Sequence, residues 1–132
     1  MEMESPTISK IKKFTDLRAW QAGHQLLLDI YKVTSSFPRS EDYGLTSQLR
    51  RAIVSVTSNV AEGFSRNTRG DKVQFYTIAI SSLTEVENQL VIARDVGYIN
   101  TSDFTKLVKQ VEDTQKLISG LIKTARSWGD KK

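Results

Sequence analysis

The chain contains no cysteine and a single histidine in 132 residues. Without cysteine there are no disulfides, thiolate metal sites or cysteine nucleophiles, and the composition suits a reducing compartment. With His24 as the only imidazole, a ferritin-like di-iron centre fails on its ligand count, because it takes Glu-x-x-His from each of two helices. Position 21, where the glutamate of such a motif would stand, is Gln21. A serine triad would have to recruit the same histidine, and the chain has neither a G-x-S-x-G elbow nor a glycine-rich phosphate loop. The nearest approach, Gly63-Phe64-Ser65-Arg66, lacks the second half of any such motif. Glu85 and Glu87 are close in sequence, but two residues apart on a helix they point to different faces. No catalytic residue, no metal and no cofactor is expected.

Long apolar runs are missing too. No stretch approaches the roughly 18 residues of a membrane span, and the opening residues MEMESPTISK carry acids rather than a basic region followed by an apolar one. The expectation is a soluble cytoplasmic protein with no membrane partner. Strand-like alternation, internal repeats and low-complexity linkers are likewise lacking.

What the chain does have is helical periodicity. In YGLTSQLRRAIVSVTSNVAEGFSR, from Tyr43 to Arg66, the residues Leu45, Leu49, Ala52, Ile53, Val56, Val60 and Phe64 form one stripe. The opposite side carries Ser47, Arg51, Ser55, Ser58, Glu62 and Arg66, and its small residues would admit a second helix at close range. An earlier helix should start near Asp16, capped by Thr15 or Asp16, and stop before Phe37-Pro38. Its core stripe reads Leu17, Trp20, His24, Leu27, Leu28 and Tyr31, leaving a second apolar row of Leu26, Ile30, Val33 and Phe37 that calls for another surface to cover it. A third helix begins at Asp71, presents Tyr76, Ala79, Ile80, Leu83, Val86, Leu90 and Ala93, and stops at Gly97. A fourth opens at the capping cluster Asn100-Thr101-Ser102-Asp103 and sends Phe104, Leu107, Val108, Val111, Ile118, Leu121, Ile122 and Ala125 inwards. Short connections favour an all-α, antiparallel up-down-up-down four-helix bundle over residues 14–128, with a flexible basic segment at 1–13 and a flexible tail at 129–132. Trp20, Tyr31, Leu49, Val56, Leu83, Leu90, Val111 and Ile118 should share its core.

The net charge of +4 is uneven: residues 73–99 carry one basic and three acidic side chains, while the segments around the other three helices are each net basic. The cations form three groups, Lys10, Lys12 and Lys13 at the start, Arg66, Arg69 and Lys72 around the second turn, and Lys109, Lys116 and Lys123 at seven-residue intervals. Together they are the candidate contacts to a polyanion, through phosphates rather than bases, since no base-reading module is present. Asn59 and Glu62, with Arg51, are read as structural polar residues, Asn59 fixing helix register and Glu62 pairing with Arg66, Arg51 or a neighbouring subunit.

Several segments carry a resemblance to a known family. FTDLRAW, IYKVTSSFP, YGLTSQLRRA, SNVAEG, QFYTIAISSLTEVENQL and IARDVGYI, spread from Phe14 to Ile99, resemble a bacterial family of small four-helix-bundle proteins first noticed as reading frames inside intervening sequences of large-subunit ribosomal RNA genes. Thr57 stands where proline is common in that family, Phe64-Ser65 in a usually glycine-rich stretch, and Ser81 where glycine is frequent. Its relatives include the accessory variability determinant of diversity-generating retroelements, a pentamer that binds nucleic acid and a reverse transcriptase. The resemblance implies a homo-oligomer, a pentamer by that analogy, closed either through Leu26, Ile30, Val33 and Phe37 or through Ser47, Ser55 and Ser58. It also implies a non-enzymatic nucleic-acid-binding accessory protein, with RNA ahead of DNA, little sequence preference and a possible protein partner such as a reverse transcriptase. The competing expectation is a protein–protein scaffold with no nucleic-acid role.

Overall fold

The computed structural model describes residues 10–128. Four helices, α1 (Arg18–Thr34), α2 (Leu45–Ser65), α3 (Arg69–Asp95) and α4 (Thr101–Ser127), pack in a ring, each against its sequence neighbours and α4 back against α1. The connections at residues 66–68 and 96–100 are too short for anything but antiparallel neighbours, which makes the bundle up-down-up-down. Of the two segments expected to be flexible, residues 1–9 and 129–132 lie outside the described residues. Within 10–13, Ile11 packs on the core and the backbone N–H groups of Lys12 and Lys13 both donate to Asp16 Oδ2, at 3.0 and 3.1 Å.

Local chemistry sets the helix ends. Asn100 Oδ1 accepts from the Asp103 N–H at 2.7 Å to start α4, and Thr68 Oγ1 accepts from the Asp71 N–H at 3.1 Å to start α3, two residues before the predicted Asp71. Gly97, at φ +88°, ends α3 in the left-handed conformation, with the Tyr98 N–H reaching back to the Ala93 carbonyl at 2.8 Å. The start of α1 differs from expectation. Asp16 spends its carboxylate on Lys12 and Lys13, closing a 3₁₀ turn over Phe14–Asp16, and α1 begins only after Leu17. The start of α2 is capped from upstream: Glu41 Oε1 accepts from the Leu45 N–H at 3.0 Å while Oε2 takes the Tyr98 hydroxyl at 2.9 Å, tying this corner to the α3–α4 turn.

The core joins Leu49, Ile53, Val56 and Val60 of α2 with Leu83, Val86 and Leu90 of α3 and Val111 and Ile118 of α4. Leu17 is buried as expected, but along α1 the two rows are largely exchanged. Leu26 and Ile30 have no exposed surface and Phe37 is buried, whereas Leu28 is 48% and Tyr31 38% exposed, with Trp20, His24 and Leu27 half-buried. The buried row runs on through Ala19 and Gly23, residues too small to register as an apolar signal. A Cβ on Gly23 would stand 3.2 Å from Thr57 Cγ2, and this close approach turns that row inwards.

The small residues of α2 also serve the bundle itself. The hydroxyls of Ser55 and Ser82 share a hydrogen bond at 2.7 Å across α2 and α3, and Asn59 Nδ2 donates to the Ser55 carbonyl at 2.8 Å and to its hydroxyl at 3.1 Å. Gly63 lies so near the Tyr76 ring that a Cβ there would approach to 2.6 Å. Leu26, Ile30 and Phe37 are therefore core rather than an outer subunit surface, and Ser55 is engaged by α3; Val33 and Ser47 are half-buried and Ser58 is exposed.

Candidate nucleic-acid interface

Antiparallel packing gathers what the sequence keeps apart. The start of α1, the end of α2, the start of α3 and the end of α4 share one end of the bundle, where Ile11, Arg18, Phe64, Lys72 and Trp128 line a common pocket of about 460 Å³. Lys10, Lys12, Lys13, Arg66, Arg69 and Lys72 thus converge on this end, with Arg126 from α4.

Part of this group also does structural work. Lys72 Nζ donates to the carbonyls of Phe64 at 2.8 Å and Gly63 at 3.2 Å, closing the end of α2, and sits between the rings of Phe64 and Trp128. Burial holds its pKa below the ordinary lysine value. Its partners are carbonyl oxygens, which satisfy its N–H groups without neutralising its charge. Arg66 pairs with Glu62 at 2.6 Å, one of the expected choices, and stacks on Phe75, while Arg69 Nη1 donates to the Arg126 carbonyl at 3.0 Å. Arg51 is exposed.

Lys109, Lys116 and Lys123 are all exposed along the outside of α4. Fourteen residues of helix between the first and last span about 21 Å. Lys109 is bonded to Asp113 at 2.7 Å, and that contact raises its pKa. The row therefore runs from the basic end of the bundle to a groove at the other end, formed by α1 and α4 and lined by Lys109 itself.

Some residues carry no signal in the sequence. Asp29, Lys32, Lys106 and Gln110 meet in the α1–α4 groove although Asp29 and Gln110 are 81 positions apart. Arg50 closes the end of α1, its Nε donating to Thr34 Oγ1 at 2.9 Å and Nη2 to the Tyr31 carbonyl at 3.2 Å, with the guanidinium over the Tyr31 ring. Among the described residues there is no group of three or more His, Cys, Asp or Glu side chains able to hold a metal, and no helix long and apolar enough to cross a membrane.

Comparison with known proteins gives matches in both sequence and structure. A sequence model of the family described as 23S rRNA-intervening sequence protein matches residues 15–120. A crystal structure of a protein of unknown function from the S23 ribosomal protein family of Bacteroides thetaiotaomicron superposes with a TM-score of 0.71 at 19% identity, covering 80% of this chain and 98% of that one. No curated protein sequence matches the chain.

Proposed function

Since the chain belongs to the 23S rRNA-intervening sequence protein family, we propose that it is a non-enzymatic, oligomeric accessory protein that binds nucleic acid, RNA ahead of DNA, through phosphates. The observation that carries this reading is the convergence of the cationic groups: the turn and tail cations meet at one end of the bundle and the exposed lysines of α4 lead away from it. A strand of phosphates laid on that path releases condensed counterions, so binding tolerates many sequences and is sensitive to salt. A closed oligomer repeats the path and multiplies weak contacts. Fluorescence anisotropy with single-stranded RNA and DNA at roughly 50 and 200 mM salt tests the reading, with affinity expected to fall by about 300-fold or more if six or more phosphates are held. Absence of binding to either at the lower salt would end it.

A second reading is favoured by the outward row of α1. Leu28 and Tyr31 are exposed on α1, Tyr31 beside Val54 of α2, and Phe14, Trp20 and His24 continue the row as successive ring contacts at 5.5 and 4.6 Å. Such a face suits a second copy of the chain or a protein partner. On the scaffold reading that face is the whole function; on the nucleic-acid reading it is where the oligomer closes.

A further inference from the structure

The open groove between α1 and α4 has a volume of about 890 Å³, suited to a small organic group, and of the phosphate path only Lys109 reaches it. Asp29 is fixed by two amides, Gln110 Nε2 donating to Oδ2 at 2.8 Å and Gln25 Nε2 to Oδ1 at 3.2 Å, and among the described residues no cation forms an ion pair with it. A carboxylate has about four acceptor positions, so two remain for a ligand. Gln110 is oriented by the same contact, because turning its amide over would set oxygen against carboxylate. Its Oε1 is buried with no donor facing it. Lys32, Lys106 and Lys109 line the same groove without an ion pair to Asp29, Lys109 being bonded to Asp113; Asp103 at the start of α4 is a second carboxylate on the edge, and Val33 and Leu107 supply apolar surface.

The half-buried Asp29 carboxylate, with acceptor positions left over, beside the exposed Lys32 and Lys106 matches a ligand that is donor-rich at one end and anionic at the other. Resting on the nucleic-acid reading, we infer that this groove receives one unstacked base of a single strand, with its flanking phosphates on Lys32 and Lys106. The carboxylate selects guanine, whose Watson–Crick edge presents the N1–H and the N2 amino group side by side, and it repels phosphate, which fixes the direction of entry. Adenine offers one donor on that edge, and uracil one. Lys109 belongs both to the groove and to the lysine row, so a strand following α4 from the basic end arrives here.

The test uses short single-stranded uridine oligomers carrying one central guanosine, inosine or adenosine, with binding to the full chain read by anisotropy at low salt. Inosine lacks only the N2 amino group. The guanosine oligomer is expected to bind about ten-fold more tightly than either of the others, the value of one hydrogen bond to a charged acceptor. Asp29→Asn, shown by circular dichroism to keep its helices, should bind all three oligomers alike. Lys32→Gln with Lys106→Gln should weaken all three while keeping their order. Equal binding of the three oligomers by the parent would overturn the groove assignment and leave the phosphate reading standing. A folded Asp29→Asn variant that kept the guanosine preference would place the base elsewhere and overturn it too. Failure of the parent to bind any oligomer would remove the phosphate reading and this one together.

Discussion

Gly63 and Gly120 both lie inside helices, and the same substitution should move stability in opposite directions. Gly→Ala in a helix gains about 1 kcal/mol of propensity. At Gly120 nothing lies within 4 Å of the added carbon, so Gly120→Ala should stabilise by roughly that amount. At Gly63 the carbon meets the buried Tyr76 ring at 2.6 Å, and overpacking of about 1 to 3 kcal/mol offsets the gain, so Gly63→Ala should destabilise. Urea unfolding of the two variants checks this, and a stabilised Gly63→Ala would mean that α3 does not approach α2 as described. Tyr76 gives a second reading of the same contact. Burial raises its pKa from 10.0 to about 12, so the folded state keeps a proton that the unfolded state has released. That stability is fully present below pH 10 and is lost as pH rises from 10 towards 12. Tyr76→Phe should remove this component from the alkaline unfolding curve, and an unchanged curve would show that the hydroxyl is not buried.

At the scale of the element, α1 separates the two ways of reading its rows. Leu26→Ala should cost about 2 to 5 kcal/mol, while Leu28→Ala, at a half-exposed position, should change the stability of the isolated subunit by no more than about 0.5 kcal/mol. The reverse order would restore the row of Trp20, His24 and Leu28 to the core. The sequence was legible wherever one signal was unopposed: the stripes of α2 and α4, the Asn100 cap and the Gly97 stop all lie where periodicity and capping rules put them. It misled in α1 because two rows competed and the larger side chains looked like the core. Gly23 decides the outcome by letting α1 approach Thr57, with the small Ala19 buried on the same row, and smallness does not register in a count of apolar residues. The candidate site was legible only as three basic groups. That they share a path, and that Asp29 meets Gln110 in a groove, follows from antiparallel packing between residues far apart in sequence.

For the whole molecule, the outward row of α1 and the basic path make separate predictions. A face that includes Leu28, Tyr31 and Val54 should be covered in solution, so light scattering at micromolar concentration should return a multiple of the 14.9 kDa chain mass. Leu28→Glu with Val54→Glu should lower that mass while the helical content stays. The central claim is that phosphates bind along α4, and the most direct measurement compares the parent with Lys109→Glu, Lys116→Glu and Lys123→Glu combined. All three side chains are exposed, so fold and oligomer mass should be retained. The expected result is weaker binding to every single-stranded RNA tested, with a salt dependence shallower by about three phosphate contacts. A folded triple variant that binds RNA with the parent's affinity and salt dependence would contradict the claim.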